Sequence, residues 1–135
     1  MDETLRSQVW ARAGSRCEYC QLPHGCSTLS FQLDHIISLK HHGPTLLDNL
    51  ALACFYCNTH KGPNLAGFEL DQRVITRLFH PRRDIWTEHF RWNGAVLLGL
   101  SPVGRVTIDV LNINLAERIE HRRLLHEMGL LTLDD

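Results

Sequence analysis

The chain is short of several things, and each shortage removes a class of protein. No apolar run approaches the roughly 20 residues that a membrane-spanning helix needs, so a membrane role is not expected. No repeat, low-complexity tract or linker interrupts it. Charge of one sign is missing too: 14 Lys and Arg face 15 Asp and Glu, for a formal net charge of -1. A phosphate-bearing partner would therefore require a local positive face rather than whole-molecule attraction. Lysine is scarce, with only Lys40 and Lys61 beside twelve arginines. Arginine serves phosphate and carboxylate equally well, so charge alone decides nothing. The start, Met1 to Arg6, lacks the basic stretch and apolar centre of an export signal, and a cytoplasmic location is the expectation. With 44% hydrophobic and 21% charged residues in 135, a single folded domain with its own core is expected.

What is present begins with cysteine. Two Cys-x-x-Cys pairs, Cys17/Cys20 and Cys54/Cys57, occur in a chain without an export signal. That context favours metal thiolates over disulfides. Zinc is held tetrahedrally by four such ligands, and a pair two residues apart grips it from one tight turn. The 33 residues between Cys20 and Cys54 exceed the usual ribbon spacing, as expected if a hairpin is inserted. Buried free thiols or a redox pair are the alternatives. A four-thiolate Zn2+ site would be structural, because no position remains open for water. Cys26 reads as a spare thiol.

The pattern predicts a helix over 3–13, with Leu5, Val9, Trp10 and Ala13 on one face and Gly14 as its stop. Residues 30–38 read as a strand and Leu50 to Ala53 as its hairpin partner, followed by a short helix over 57–62. Neighbouring strand residues point to opposite faces, so Asp34 and His35 share a pocket only if the strand ends or bulges there. Extended segments are expected over 74–79 and 86–92, strands over 95–100 and 103–112, and a last helix over 115–128 with Ile119, Leu124, Leu125 and Met128 apolar.

In order, Cys17-x-x-Cys20, Asp34-His35-Ile36, Asn49-Leu50 and Cys54-x-x-Cys57-Asn58-x-x-Lys61 resemble the HNH nuclease family over about residues 17–62. The resemblance implies an α+β fold with a ββα-metal core and zinc knuckles, to which the pattern over 63–135 adds short strands and a final helix. It also implies an endonuclease that hydrolyses DNA phosphodiester bonds with a divalent ion. Histidine titrates near neutrality and can take a proton from water, which makes His35 the expected general base. Mg2+ or Mn2+ prefers oxygen ligands and acts as a Lewis acid on phosphate; Asp34 and Asn58 are its expected ligands. His60 is the alternative ligand if the helix register differs. Asn49 is expected to order the loop and orient the base. No small-molecule cofactor is implied.

Lys61, Arg82 and Arg83 are the candidate phosphate contacts, with His41 and His42 nearby. Arg73, Arg77, His80, His89 and Arg91 could add to a local basic face, though pairing with carboxylates explains them equally well. A zinc-stabilised nucleic-acid-binding module without catalysis, or an RNA-directed nuclease, are the competing functions.

Overall fold

The computed structural model describes residues 1–133, in which the chain forms two compact units. The first comprises Met1–Leu65 with His80–Arg83; the second comprises Ala66–Phe79 and the chain from Asp84 onward. Helices and two-stranded antiparallel sheets are mixed throughout, which is the expected α+β class.

In the first unit, helix α1 (Glu3–Ala13) starts where the Asp2 carboxylate accepts from the Thr4 N–H at 2.7 Å. It stops at Gly14, whose φ of 62° suits a residue without a side chain. Val9 is its one buried residue, and the helix packs against strand β2 (Leu50–Ala53). Arg12 ties the helix to that strand: its guanidinium donates to the carbonyls of Leu47 and Leu50 at 2.9 and 2.6 Å, where β2 begins. Every β2 residue is buried, so this Leu-Ala-Leu-Ala run is the unit's core strand.

Strand β1 (Gln32–His35) pairs with β2, with His35 opposite Leu50. It is shorter than the expected 30–38 and ends at the dipeptide itself. Beyond it the chain turns, held by the Ile36 N–H donating to the Asn49 carbonyl at 2.9 Å. Helix α2 (Phe55–Lys61) begins two residues before its expected start, because the Cys54 sulfur caps it by accepting from the Cys57 N–H. The turn between β1 and β2 depends on Gly43: a Cβ there would lie 1.7 Å from the Ile37 carbonyl oxygen.

The second unit holds two hairpins, β3 (Ala66–Glu69) with β4 (Val74–Arg77) and β5 (Phe90–Asn93) with β6 (Val96–Gly99). Strand β3 was not expected. The segment 86–92, expected as extended, makes one turn of helix α3 (Trp86–His89) before β5.

The strand expected over 103–112 is instead helix α4 (Pro102–Val110). Its β-branched residues mimic a strand, but Ser101 caps it by accepting from the Gly104 N–H, and Pro102 occupies the first turn. Helix α4 lies close on β3, where a Cβ on Gly67 would meet Val110 at 2.5 Å.

Helix α5 (Ala116–Glu127) occurs where expected, but its buried face differs. Arg118, Arg122 and Leu125 are buried, while Leu124 and Met128 are exposed. Arg118 donates to the Leu111 carbonyl at 2.8 Å, and Arg122 to those of Ile113 and Ala95 at 2.9 Å each. Guanidinium forks thus satisfy carbonyls that the end of α4 and the β5–β6 turn leave unpaired. Among the described residues, no helix is long and apolar enough to cross a membrane.

Candidate metal centre and active-site cleft

Two tight turns bring four sulfurs together. Cys17, Cys20, Cys54 and Cys57 are all buried, and their sulfurs lie within 4.8 Å of one another. None is in a disulfide. The Cys20 and Cys54 sulfurs are 3.7 Å apart. Four thiolates around zinc at the usual ~2.3 Å would stand about 3.8 Å from each other, so the cluster fits a tetrahedral ion. The backbone supports it, since the N–H groups of Cys20 and Cys57 donate to the sulfurs of Cys17 and Cys54 at 3.5 and 3.4 Å. Burial, together with the neighbouring sulfurs, pushes the Cys17 thiol well above its ordinary pKa. The four cysteines are positioned as a metal site.

From this cluster a chain of contacts runs to the dipeptide. Tyr19, inside the first knuckle and fully buried, donates its hydroxyl to Asp34 Oδ2 at 2.6 Å. Lys61, at the end of α2 and 1% exposed, donates to Asp34 Oδ1 and to the His35 carbonyl, both at 3.2 Å. Asp34 is 5% exposed, and burial raises its carboxyl pKa, with Lys61 and then Tyr19 opposing the rise. Strand β1 ends at this dipeptide, which meets the condition for a shared pocket: Asp34 is turned inward and yet borders the same cleft as His35.

His35 is half-buried, with its Nε2 2.9 Å from the Thr45 hydroxyl; its Nδ1 has no hydrogen-bond partner among the described residues. Asn49 is buried and fully engaged: its oxygen accepts from the Ile37 N–H, and its amide nitrogen donates to the carbonyls of Ile37 and Pro44, at 2.8–2.9 Å. One side chain thus ties together both ends of the turn beyond β1.

Leu33, Asp34, His35, Ser38, Lys40 and Asn58, with Gly62, border an open cleft of about 360 Å³. The Asn58 side chain has no partner among the described residues. For an oxygen-seeking divalent ion the donor set fits: Asn58 offers a free amide oxygen. Each Asp34 oxygen accepts one hydrogen bond and keeps a second lone pair. The Lys61 ammonium already offsets the Asp34 charge, so such a site would be a weak one.

Residues 17–64 match the model of the HNH endonuclease family. This stretch is an HNH domain. Comparisons with curated proteins and with solved structures returned no match.

Two of the expected phosphate contacts, one inside this stretch and one beyond it, are placed otherwise. Lys61 is enclosed and bonded to Asp34 and His35, so its ammonium does not face a substrate. Arg82 is turned inward to an ion pair with Glu18, whose second oxygen accepts from the Leu52 N–H. Burial, and then the nearby Arg12, push the Arg82 pKa down to about 10. Arg83 is exposed. The cation on the cleft wall is Lys40, exposed and without an ion-pair partner among the described residues. Sequence reasoning passed over Lys40, and also Tyr19 and Thr45. Position inside a knuckle is a signal for Tyr19, but no spacing rule marks Thr45.

Proposed function

We propose that this protein is a metal-dependent nuclease that hydrolyses phosphodiester bonds in DNA. The observation that carries the reading is the meeting of two unengaged groups, the His35 Nδ1 and the Asn58 amide, on one open cleft of an HNH domain. His35 is the general base that takes a proton from the attacking water. Asn58 and Asp34 would hold a Mg2+ or Mn2+ ion, whose Lewis acidity would offset charge on the phosphate and the leaving oxygen. Asn49 orders the turn that carries the base. Lys40 binds the backbone phosphate in place of Lys61 and Arg82, with Arg83 as a further basic contact. The four cysteines hold Zn2+ as scaffold.

The test is cleavage of supercoiled plasmid across a Mg2+ and Mn2+ series, with chelator as control and single-stranded RNA run alongside. Cleavage that requires the ion and disappears in His35→Ala supports the reading. Binding without cleavage at every ion concentration would leave a zinc-stabilised binding module instead, and cutting confined to RNA would reassign the substrate.

A further inference from the structure

The His35 ring has two nitrogens, and the structure treats them differently. Nε2 meets the Thr45 hydroxyl at 2.9 Å, whereas Nδ1 meets nothing among the described residues. Thr45 is not left to wander into that position. It follows Pro44, whose carbonyl accepts from Asn49, and Asn49 also grips Ile37 through both its N–H and its carbonyl. Ile37 is two residues past His35. Asn49 therefore sets the span between the end of β1 and Thr45, and the turn is closed further by the Gly43 N–H on the Ser38 carbonyl at 2.9 Å.

We infer that Thr45 is a positioning residue whose hydroxyl oxygen accepts the Nε2 hydrogen of His35 and so leaves the ring's lone pair on Nδ1. This rests on the reading of His35 as the base. A neutral imidazole carries one N–H and one lone pair. If Thr45 donated to Nε2 instead, the lone pair would be used up and Nδ1 would carry the hydrogen, leaving no acceptor for water. With Thr45 accepting, a water O–H bond breaks and an Nδ1–H bond forms. The hydroxide oxygen then adds to phosphorus as the bond to the leaving oxygen breaks, and that oxygen departs with the electron pair and takes a proton from solvent water. The ring ends as a cation still donating from Nε2 to Thr45. A second ring nitrogen held by a fixed partner sets the tautomer and orientation of the first.

The experiment uses the full chain as purified, labelled with nitrogen-15. His35 ring signals are assigned from their loss in His35→Ala, and Thr45→Val and Thr45→Ser are compared with the wild type. At a pH where the ring is neutral, the wild type should carry its hydrogen on Nε2, slowed in exchange with water. Thr45→Val should lose that slow exchange and populate both tautomers, with kcat lower by about tenfold and KM little changed. Thr45→Ser should restore the tautomer and most of kcat. Hydrogen on Nδ1 in the wild type overturns the proposal, as does a Thr45→Val protein with wild-type exchange and kcat. If His35→Ala still cuts, the base assignment fails on its own, and the tautomer data still decide what Thr45 does.

Discussion

Replacing Lys61 by Met is the sharpest test of how the HNH domain is held together. Its ammonium and the Asp34 carboxylate form an ion pair whose side chains are 2% and 5% exposed. Methionine keeps the length and apolar stem but removes the charge, leaving a buried carboxylate with only the Tyr19 hydroxyl as partner. Breaking a buried pair from one side costs about 3–5 kcal/mol, while replacing both partners is often close to neutral. For 135 residues the entropy of unfolding is roughly 0.28 kcal/mol/K, so the melting temperature should fall by about 10–18 °C.

The loss should also depend on pH. The Asp34 carboxyl pKa is raised in the folded protein by burial, so this group's contribution is full below the unfolded carboxyl value and is lost as pH rises through the folded pKa. Without Lys61 the folded pKa rises further, and protonation relieves the penalty. The gap to wild type should therefore be narrower near about pH 5 than near about pH 8. Thermal melts with excess zinc at both values, repeated on Asp34→Asn and the Asp34→Asn/Lys61→Met double variant, complete the cycle. If Lys61→Met melts within a few degrees of wild type at the higher pH, or the double variant is no better than Lys61→Met, Asp34 and Lys61 do not stabilise each other as argued.

Other consequences follow from the same geometry. With its carboxylate no longer offset, Lys61→Met should bind Mn2+ more tightly than wild type by titration calorimetry; equal or weaker binding would remove Asp34 from the ion site. Cys54→Ser should take bound zinc from one per chain to near none and lower thermal stability with it; full zinc retention and normal melting would reject the four-thiolate site. Lys40→Ala should weaken DNA binding several-fold and reduce the salt slope of affinity by about 1; an unchanged slope would mean that Lys40 contacts no phosphate. Glu69 accepts from Arg105 and from the backbone N–H groups of Gln72 and Asp71, and these bonds lower its pKa. Its contribution is present above the unfolded carboxyl range and is lost as pH falls through the lowered value. Glu69→Gln should therefore be less stable than wild type at neutral pH, and thermal melts of the two should converge in acid.

Local pattern made the first unit legible. Each knuckle is a tight turn, so Cys-x-x-Cys spacing nearly dictates that its two sulfurs face one ion. Helix α1 and the β1–β2 hairpin follow from apolar periodicity and from Gly14 acting over a few residues. The order of Asp34-His35, Asn49 and Asn58 between and beside the cysteine pairs pointed to the HNH domain by itself. Helix α4 went unread because Val103, Val106, Ile108 and Val110 favour a strand by composition. What made it a helix was the Ser101-Pro102 start and a small Gly67 surface to lie on. The buried face of α5 is set by Arg118 and Arg122, whose partners are carbonyls elsewhere in the fold, and no helical periodicity reports such partners.

The dipeptide shows the same division most clearly. Asp34 and His35 are adjacent in the chain, and because the strand ends at them both border one cleft. Only the tertiary structure decided where each went: Asp34 to Tyr19 and Lys61 inside the domain, His35 to Thr45 at the cleft. Residue types and spacing determine which chemistry is available, because ligand preference and turn geometry are local properties. Which charge is spent internally and which is left for a substrate depends on burial and on partners distant in sequence. That is why Lys61 and Arg82, both basic and both expected at phosphate, turned out to be internal struts, and Lys40 is the cation left on the cleft wall.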